Sequence, residues 1–284
     1  LYAPRGPAPG RAEPTPPPAP APPPPAPAPV PGCDEQDILD PGPSLARRLS
    51  RVEYKNTMRD LLGSPIETDI EFPPDEEMLG LDNNARALQV TPLHAERYMD
   101  QAESISPSLA TVWSERVGCT DEELTESQCV EAFITELGLR AWRRPITEVE
   151  RTQLGVVFDT GKLTGDGSTQ AGLSLIAEAL LQSPYFLFRV EVGEPAPQHP
   201  GLRRLSEYEF ASRLSYFIWR TMPDDPLFAA AAAGELATDD GLNIQVERML
   251  EDPRAWAGFW TFFAQWLHVD EIELLVRDAQ LHPD

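Results

Sequence analysis

Carboxylates, amides and arginines carry most of the chemistry this sequence offers. The cluster Asp82-Asn83-Asn84 and the acidic turns Asp224-Asp225 and Asp239-Asp240 present oxygens of the kind that coordinate calcium, although the same residues commonly form turns and helix caps. Two basic-aromatic clusters, Arg140 to Pro145 (RAWRRP) and Arg213 to Arg220 (RLSYFIWR), put forward Arg143, Arg144 and Arg213 as anion-binding candidates. In an acidic chain the ordinary use of such arginines is to pair helices internally. Glu178, Glu191 and Glu209 supply carboxylates for acid/base attack on a polymer, but acids are too numerous here for spacing to choose a pair.

The four histidines, His94, His199, His268 and His282, are scattered, and no Cys/His spacing suits zinc or covalent haem attachment. No Gly-x-Ser-x-Gly turn or phosphate-binding glycine loop occurs, and Gly165-Asp166-Gly167-Ser168 reads as a surface loop. Of three cysteines, Cys119 and Cys129 are ten apart across a polar stretch, which suits a local disulfide clamping a loop to the helix after it. Cys33 is left odd, to pair between chains, to pair with a cysteine beyond Asp284, or to stay free.

These residues sit in a chain of 284 with 46 acidic and 23 basic side chains, a formal charge of −23. Bare nucleic acid and anionic membranes are poor partners for such a surface. Residues 1 to 32 hold 15 of the 31 prolines, mixed with alanine, and read as an extended, disordered stalk with a reach of roughly 90 Å. The first residue is Leu1, so any signal peptide is expected upstream, and no run is long and apolar enough to span a bilayer.

Positioning falls to helices. Ser50 with Glu53, Thr147 with Glu150, and Ser206 with Glu209 form capping boxes, so helices start at each. Further helices are expected from Thr91-Pro92 toward Trp113, Ser127 to Trp142, Gln170 to Gln182, Asp239 to Glu251, and Pro253 to His268. In the last, Trp256, Phe259, Trp260, Phe263, Trp266 and Leu267 form an aromatic stripe, which reads as core. Tyr185 to Val192 is the best strand candidate. RRLSRVEY from Arg47 and RRLSEYEF from Arg203 are alike over eight residues, a likeness that shared cap chemistry produces as readily as duplication. The fold class is all-α, with expected divisions at 1–43, 44–118, 119–198 and 199–284.

RRLSRVEYKNTMRDLLG, LDNNA, AWRRPIT, LLQSPYFLFRVEVG, LSEYEFASRLSYFIWRTMPDD and RMLEDPRA, in this order, resemble the exported multi-domain proteins of unknown function abundant in planctomycetes and myxobacteria. That resemblance implies an extracytoplasmic protein, a chain that continues beyond Asp284, and association with a separate cytochrome c-type haem domain. It implies no catalytic residues. Together these observations point to a binding or scaffold module of a cell-envelope or redox-associated assembly, with a protein or polymer partner and no cofactor of its own. A secreted polymer-degrading enzyme and a non-haem metal protein are the alternatives.

Overall fold

Hydroxyl caps start the helices where the sequence places them. At Ser50 the hydroxyl accepts from the Glu53 amide at 3.3 Å while Glu53 Oε2 accepts from the Ser50 amide at 2.9 Å, and the boxes at Thr147 and Ser206 close in the same way. Two further boxes, Thr91 with His94 and Thr125 with Gln128, use a ring nitrogen and an amide in place of a carboxylate. The computed structural model describes residues 42–63, 72–119, 124–197, 199 and 201–269. The Pro/Ala-rich stretch, Cys33 and His282 lie outside these.

Among the described residues the element order is β1 (Arg47–Arg48), α1 (Arg51–Leu62), α2 (Pro92–Arg116), α3 (Glu126–Trp142), α4 (Glu148–Thr164), α5 (Thr169–Gln182), α6 (Pro184–Leu187), β2 (Phe188–Arg189), β3 (Glu194–Pro195) and β4 (Arg203–Arg204). There follow α7 (Glu207–Ile218), α8 (Asp225–Ala233), a 3-10 turn (Glu235–Ala237), α9 (Asp239–Glu251) and α10 (Pro253–Trp266). The protein is thus all-α with two short two-stranded ladders, β1 with β2 and β3 with β4, both antiparallel. No described helix is long and apolar enough to cross a membrane.

The described residues from Ser44 onward belong to one compact unit. At its centre α5 packs against α2, α3 and α4, burying Leu173, Ile176, Leu180 and Leu181 with Trp113, Phe133 and Leu137. The Trp113 indole is satisfied by donating to the Leu61 carbonyl at 2.9 Å, which ties α2 to the end of α1. A second cluster joins Ala211 and Ile218 of α7 to Trp219, Leu227, Met249 and Ala255. Cys119, just after α2, is bonded to Cys129 near the start of α3, with Cα atoms 5.0 Å apart, as their spacing predicts.

Two expectations are corrected. Pro184 to Leu187 is helical because Ser183 caps it and Pro184 occupies the first turn, so only Phe188–Arg189 of the expected strand pairs. The aromatic stripe of α10 is not core: Trp256 is 73% exposed, and Trp260, Phe263, Trp266 and Leu267 are exposed too. The buried face of α10 is instead its small residues, Ala255, Gly258 and Ala264. At Gly258 the helix crosses α7 so closely that a Cβ would overlap the Ile218 carbonyl oxygen. With backbone against backbone along that seam, Trp256, Trp260, Phe263 and Trp266 project outward, while Phe259 packs against the second cluster.

Candidate binding cavity

A cavity of about 710 Å³ opens where β1, β2, α1, the Leu81–Asn83 turn, α7 and α10 meet. Each wall follows from local structure. The β1–β2 ladder sets Arg47 opposite Arg189, so the two side chains leave the same face of the ladder. On α7, Phe210, Arg213, Leu214 and Phe217 fall at helical spacing toward the cavity, and Phe259, Phe262 and Phe263 of α10 form the facing wall. Of the aromatic stripe, Phe259 and Phe263 reach this wall, and Phe262 beside them completes it.

Along the floor the polar groups form a connected row. Asp82 Oδ2 accepts from Arg220 at 2.5 Å, and the same guanidinium nitrogen donates to Ser50 Oγ at 3.2 Å. Glu53, the capping partner of Ser50, reaches Arg189 with Oε1 at 3.7 Å. Beyond Arg189 lie Arg47 and then the Arg213–Glu191 ion pair. Tyr216 lies beneath the row, its ring 4.8 Å from the Arg189 guanidinium and its hydroxyl hydrogen-bonded to Thr57 at 2.8 Å. Burial pushes the Tyr216 hydroxyl pKa up. Arg220 adopts a left-handed backbone, φ 55°, unusual for a side chain with a Cβ. Its side-chain bonds and the Asn56 amide donating to its carbonyl at 3.2 Å hold it there.

Three polar groups in this row have hydrogen-bonding capacity to spare. Arg189 is 6% exposed, yet its Nε has no hydrogen-bond partner. Asp82 is 9% exposed, and its Oδ1 has none either. The half-buried Arg47 side chain makes no ion pair or hydrogen bond among the described residues. Burial, together with the charge of Arg189, lowers the Arg47 pKa below that of an ordinary arginine, despite Glu53 and Glu191 at longer range. Buried polar atoms are nearly always satisfied, but Arg189 Nε and Asp82 Oδ1 are shut off inside the cavity wall; the group left open to another molecule is the guanidinium of the half-buried Arg47.

The structure brings Asp82, Asn83, Glu191 and Arg213 to this cavity and separates Arg143 and Arg144 from it. Those two line a smaller neighbouring cavity of about 280 Å³, which shares Arg189 and Glu191 with the first. Arg143 is buried and donates to the carbonyls of Tyr185, Phe186 and Phe188 at 2.6, 3.1 and 2.9 Å. Burial lowers its pKa, and it holds α6 and β2 in place. Arg144 lies over the rings of Trp142 and Tyr185 and forks onto Glu150 at 2.6 and 2.9 Å. Of the acid/base candidates, Glu178 accepts from Gln182 and Glu209 caps α7 while accepting from the Val192 and Gly193 amides. Asp224 caps α8, and Asp239 and Asp240 occupy the first turn of α9. No group of three or more His, Cys, Asp or Glu among the described residues could hold a metal ion. Sequence reasoning passes over Arg47 and Arg189 as site residues, takes Glu53 only as a cap and Tyr216 only as part of the RLSYFIWR cluster; the signal for Arg47 is the Arg-Arg pair preceding the Ser50 box.

The Arg203-Arg204 motif repeats this local design, a two-residue strand followed by a capped helix of 12 residues in both places. In the second copy, however, Arg203 donates to the Val192 and Gly193 carbonyls and faces solvent.

No curated protein and no solved structure matches the chain significantly. Three family descriptions do match: PSD3, a protein of unknown function (DUF1587), over residues 47–111; PSD5, a protein of unknown function (DUF1595), over 129–191; and PSD4, a protein of unknown function (DUF1592), over 205–284. The first contributes Arg47, Glu53 and Asp82 to the cavity, the second Arg189 and Glu191, and the third α7 and α10. The chain is a multi-domain protein of unknown function, built from these three domains in succession.

Proposed function

We propose that the chain is an extracytoplasmic binding module whose larger cavity receives the anionic group of an otherwise apolar molecule. One observation carries this: in a chain of net charge −23, Arg47 and Arg189 stand side by side at a cavity, and Arg47 makes no ion pair or hydrogen bond among the described residues. The phenylalanine wall opposite supplies apolar contact, and the cavity volume of about 710 Å³ falls within the roughly 300–1,000 Å³ typical of small-molecule sites. The Cys119–Cys129 bond supports an oxidising compartment outside the cytosol. A hydrolytic role has less support, because each carboxylate facing the cavity, Glu53, Asp82 and Glu191, is already engaged by an arginine. In an assembly with a separate haem domain, this chain contributes recognition and position.

The test is a calorimetric comparison of naphthalene-2-carboxylate with naphthalene-2-methanol, which differ in the charged group. The carboxylate should bind at least tenfold more tightly, and Arg47→Met should erase the difference. Equal binding of the two by the unaltered chain refutes the proposal.

A further inference from the structure

We propose that the exposed face of α10 is an interface with a second copy of this chain, two α10 helices packing antiparallel along their aromatic seams about a two-fold axis. The proposal goes beyond the binding reading above and is independent of it. Spacing, area and charge each support it.

Trp256, Trp260, Phe263 and Leu267 follow one another at intervals of four, three and four residues, the spacing of the narrow apolar seam by which one helix packs on another. Each of the four is between 45 and 73% exposed, because α10 meets its own chain through Ala255, Gly258 and Ala264 instead. The order four, three, four reads the same in both directions. An antiparallel pair therefore sets Trp260 against Phe263 and Trp256 against Leu267 on both sides of the axis at once. That reciprocity, residue i on j and j on i, is what a two-fold interface requires.

Phe262, Trp266 and Phe217 of α7 widen the seam, and Phe262 already contacts both Phe263 and Trp266. With all six rings at least 45% exposed and about 150–250 Å² to each aromatic side chain, the patch offers roughly 800 Å². The largest apolar patch on an ordinary monomer is about 300–600 Å², whereas each partner in a standard interface contributes about 800 Å². Charge then favours a second copy at this place. Two chains of net charge −23 repel over most of their surface, but α10 contains no Asp, Glu or Lys. Its one charged side chain, Arg254, is held by Asp252 and lies over the Trp219 ring at 3.6 Å. The two seams can close without desolvating like charges.

The experiment is sedimentation equilibrium of the full chain carrying Cys33→Ser, which removes an interchain disulfide as a source of dimer. A monomer–dimer equilibrium half-complete at about 10 μM or below is expected, the weak end of the range for interfaces of this size. Association should tighten between about 0.05 and about 0.5 M salt, because salt screens the repulsion between the two acidic chains. Trp260→Glu places two like charges beside the axis and should weaken dimerisation at least about tenfold with the Tm of the monomer unchanged. Trp260→Lys should do the same alone. An equimolar mixture of the two variants should dimerise again, a rescue that pairing through any other surface would not give. Leu163→Glu, at an exposed position on α4, should leave dimerisation intact. A dimer unmoved by Trp260→Glu, or one that weakens with salt, would overturn the proposal. So would a chain that stays monomeric at about 100 μM, well above the expected midpoint; acrylamide quenching of its tryptophans would then tell a face covered by residues 270–284 from an open one.

Discussion

Replacing Arg47 by methionine should raise the stability of the protein while weakening its binding of carboxylates. Arg47 is half-buried, faces Arg189 across the β1–β2 ladder, and gains no ion pair or hydrogen bond among the described residues in compensation. Like charges directly opposite on paired strands destabilise by roughly 0.2–1 kcal/mol, and the aliphatic stem that packs along the cavity is largely retained by methionine. At roughly 2–4 °C per kcal/mol for a domain of this size, relief of the repulsion corresponds to a rise of up to about 4 °C in Tm. Loss of the guanidinium removes charge-assisted hydrogen bonds to the ligand worth roughly 1.5–3 kcal/mol, a decrease of about 10- to 150-fold in affinity. Thermal unfolding in the absence of ligand gives the first quantity, and calorimetric titration with naphthalene-2-carboxylate gives the second. A variant that melts several degrees lower and binds as tightly as the parent would show that Arg47 is a structural residue, and the reasoning from its missing partner would fail.

Replacing Cys119 and Cys129 together by serine should destabilise by roughly 2.5–3 kcal/mol on the loop-closure estimate, read as a lower urea midpoint; an unchanged midpoint would mean that the bond contributes nothing to the folded state. Glu150, held by Arg144 and by its capping bonds at Thr147, has its pKa lowered from 4.5 to about 2. A carboxylate depressed in the folded state stabilises above its unfolded pKa and loses that contribution as pH falls through the folded one. The stability advantage of the parent over Glu150→Gln should therefore shrink between about pH 4.5 and pH 2, and a pH-independent difference in urea titrations would contradict it. Gly258→Ala forces a methyl group into the Ile218 carbonyl and should cost roughly 1–3 kcal/mol as overpacking does. It should also weaken cavity binding by moving the α10 wall, so a variant with unchanged Tm and affinity would show that this seam is slack.

How much of this was legible in the sequence depends on the range of the interaction concerned. Capping boxes are closed within four residues, so Ser50-Glu53, Thr147-Glu150 and Ser206-Glu209 announce their helices whether the box ends up exposed or, as at Ser50-Glu53, buried. The Cys119–Cys129 pairing is nearly as local, and a short polar loop between two helical segments left little alternative. Asp82, Asn83, Glu191 and Arg213 were visible as chemistry, but nothing near them in the chain said that they would line one cavity. Arg47 and Arg189 lie far apart in sequence and meet through a ladder only two residues long on each strand, too short to leave an alternating pattern. The α10 stripe shows the same limit from the other direction. Periodicity establishes that a helix has an aromatic face and a small-residue face, and by itself favours burying the aromatic one. Only the crossing at Gly258, where α7 comes too close for any side chain, decided that the small face goes inward and leaves Trp256, Trp260, Phe263 and Trp266 exposed.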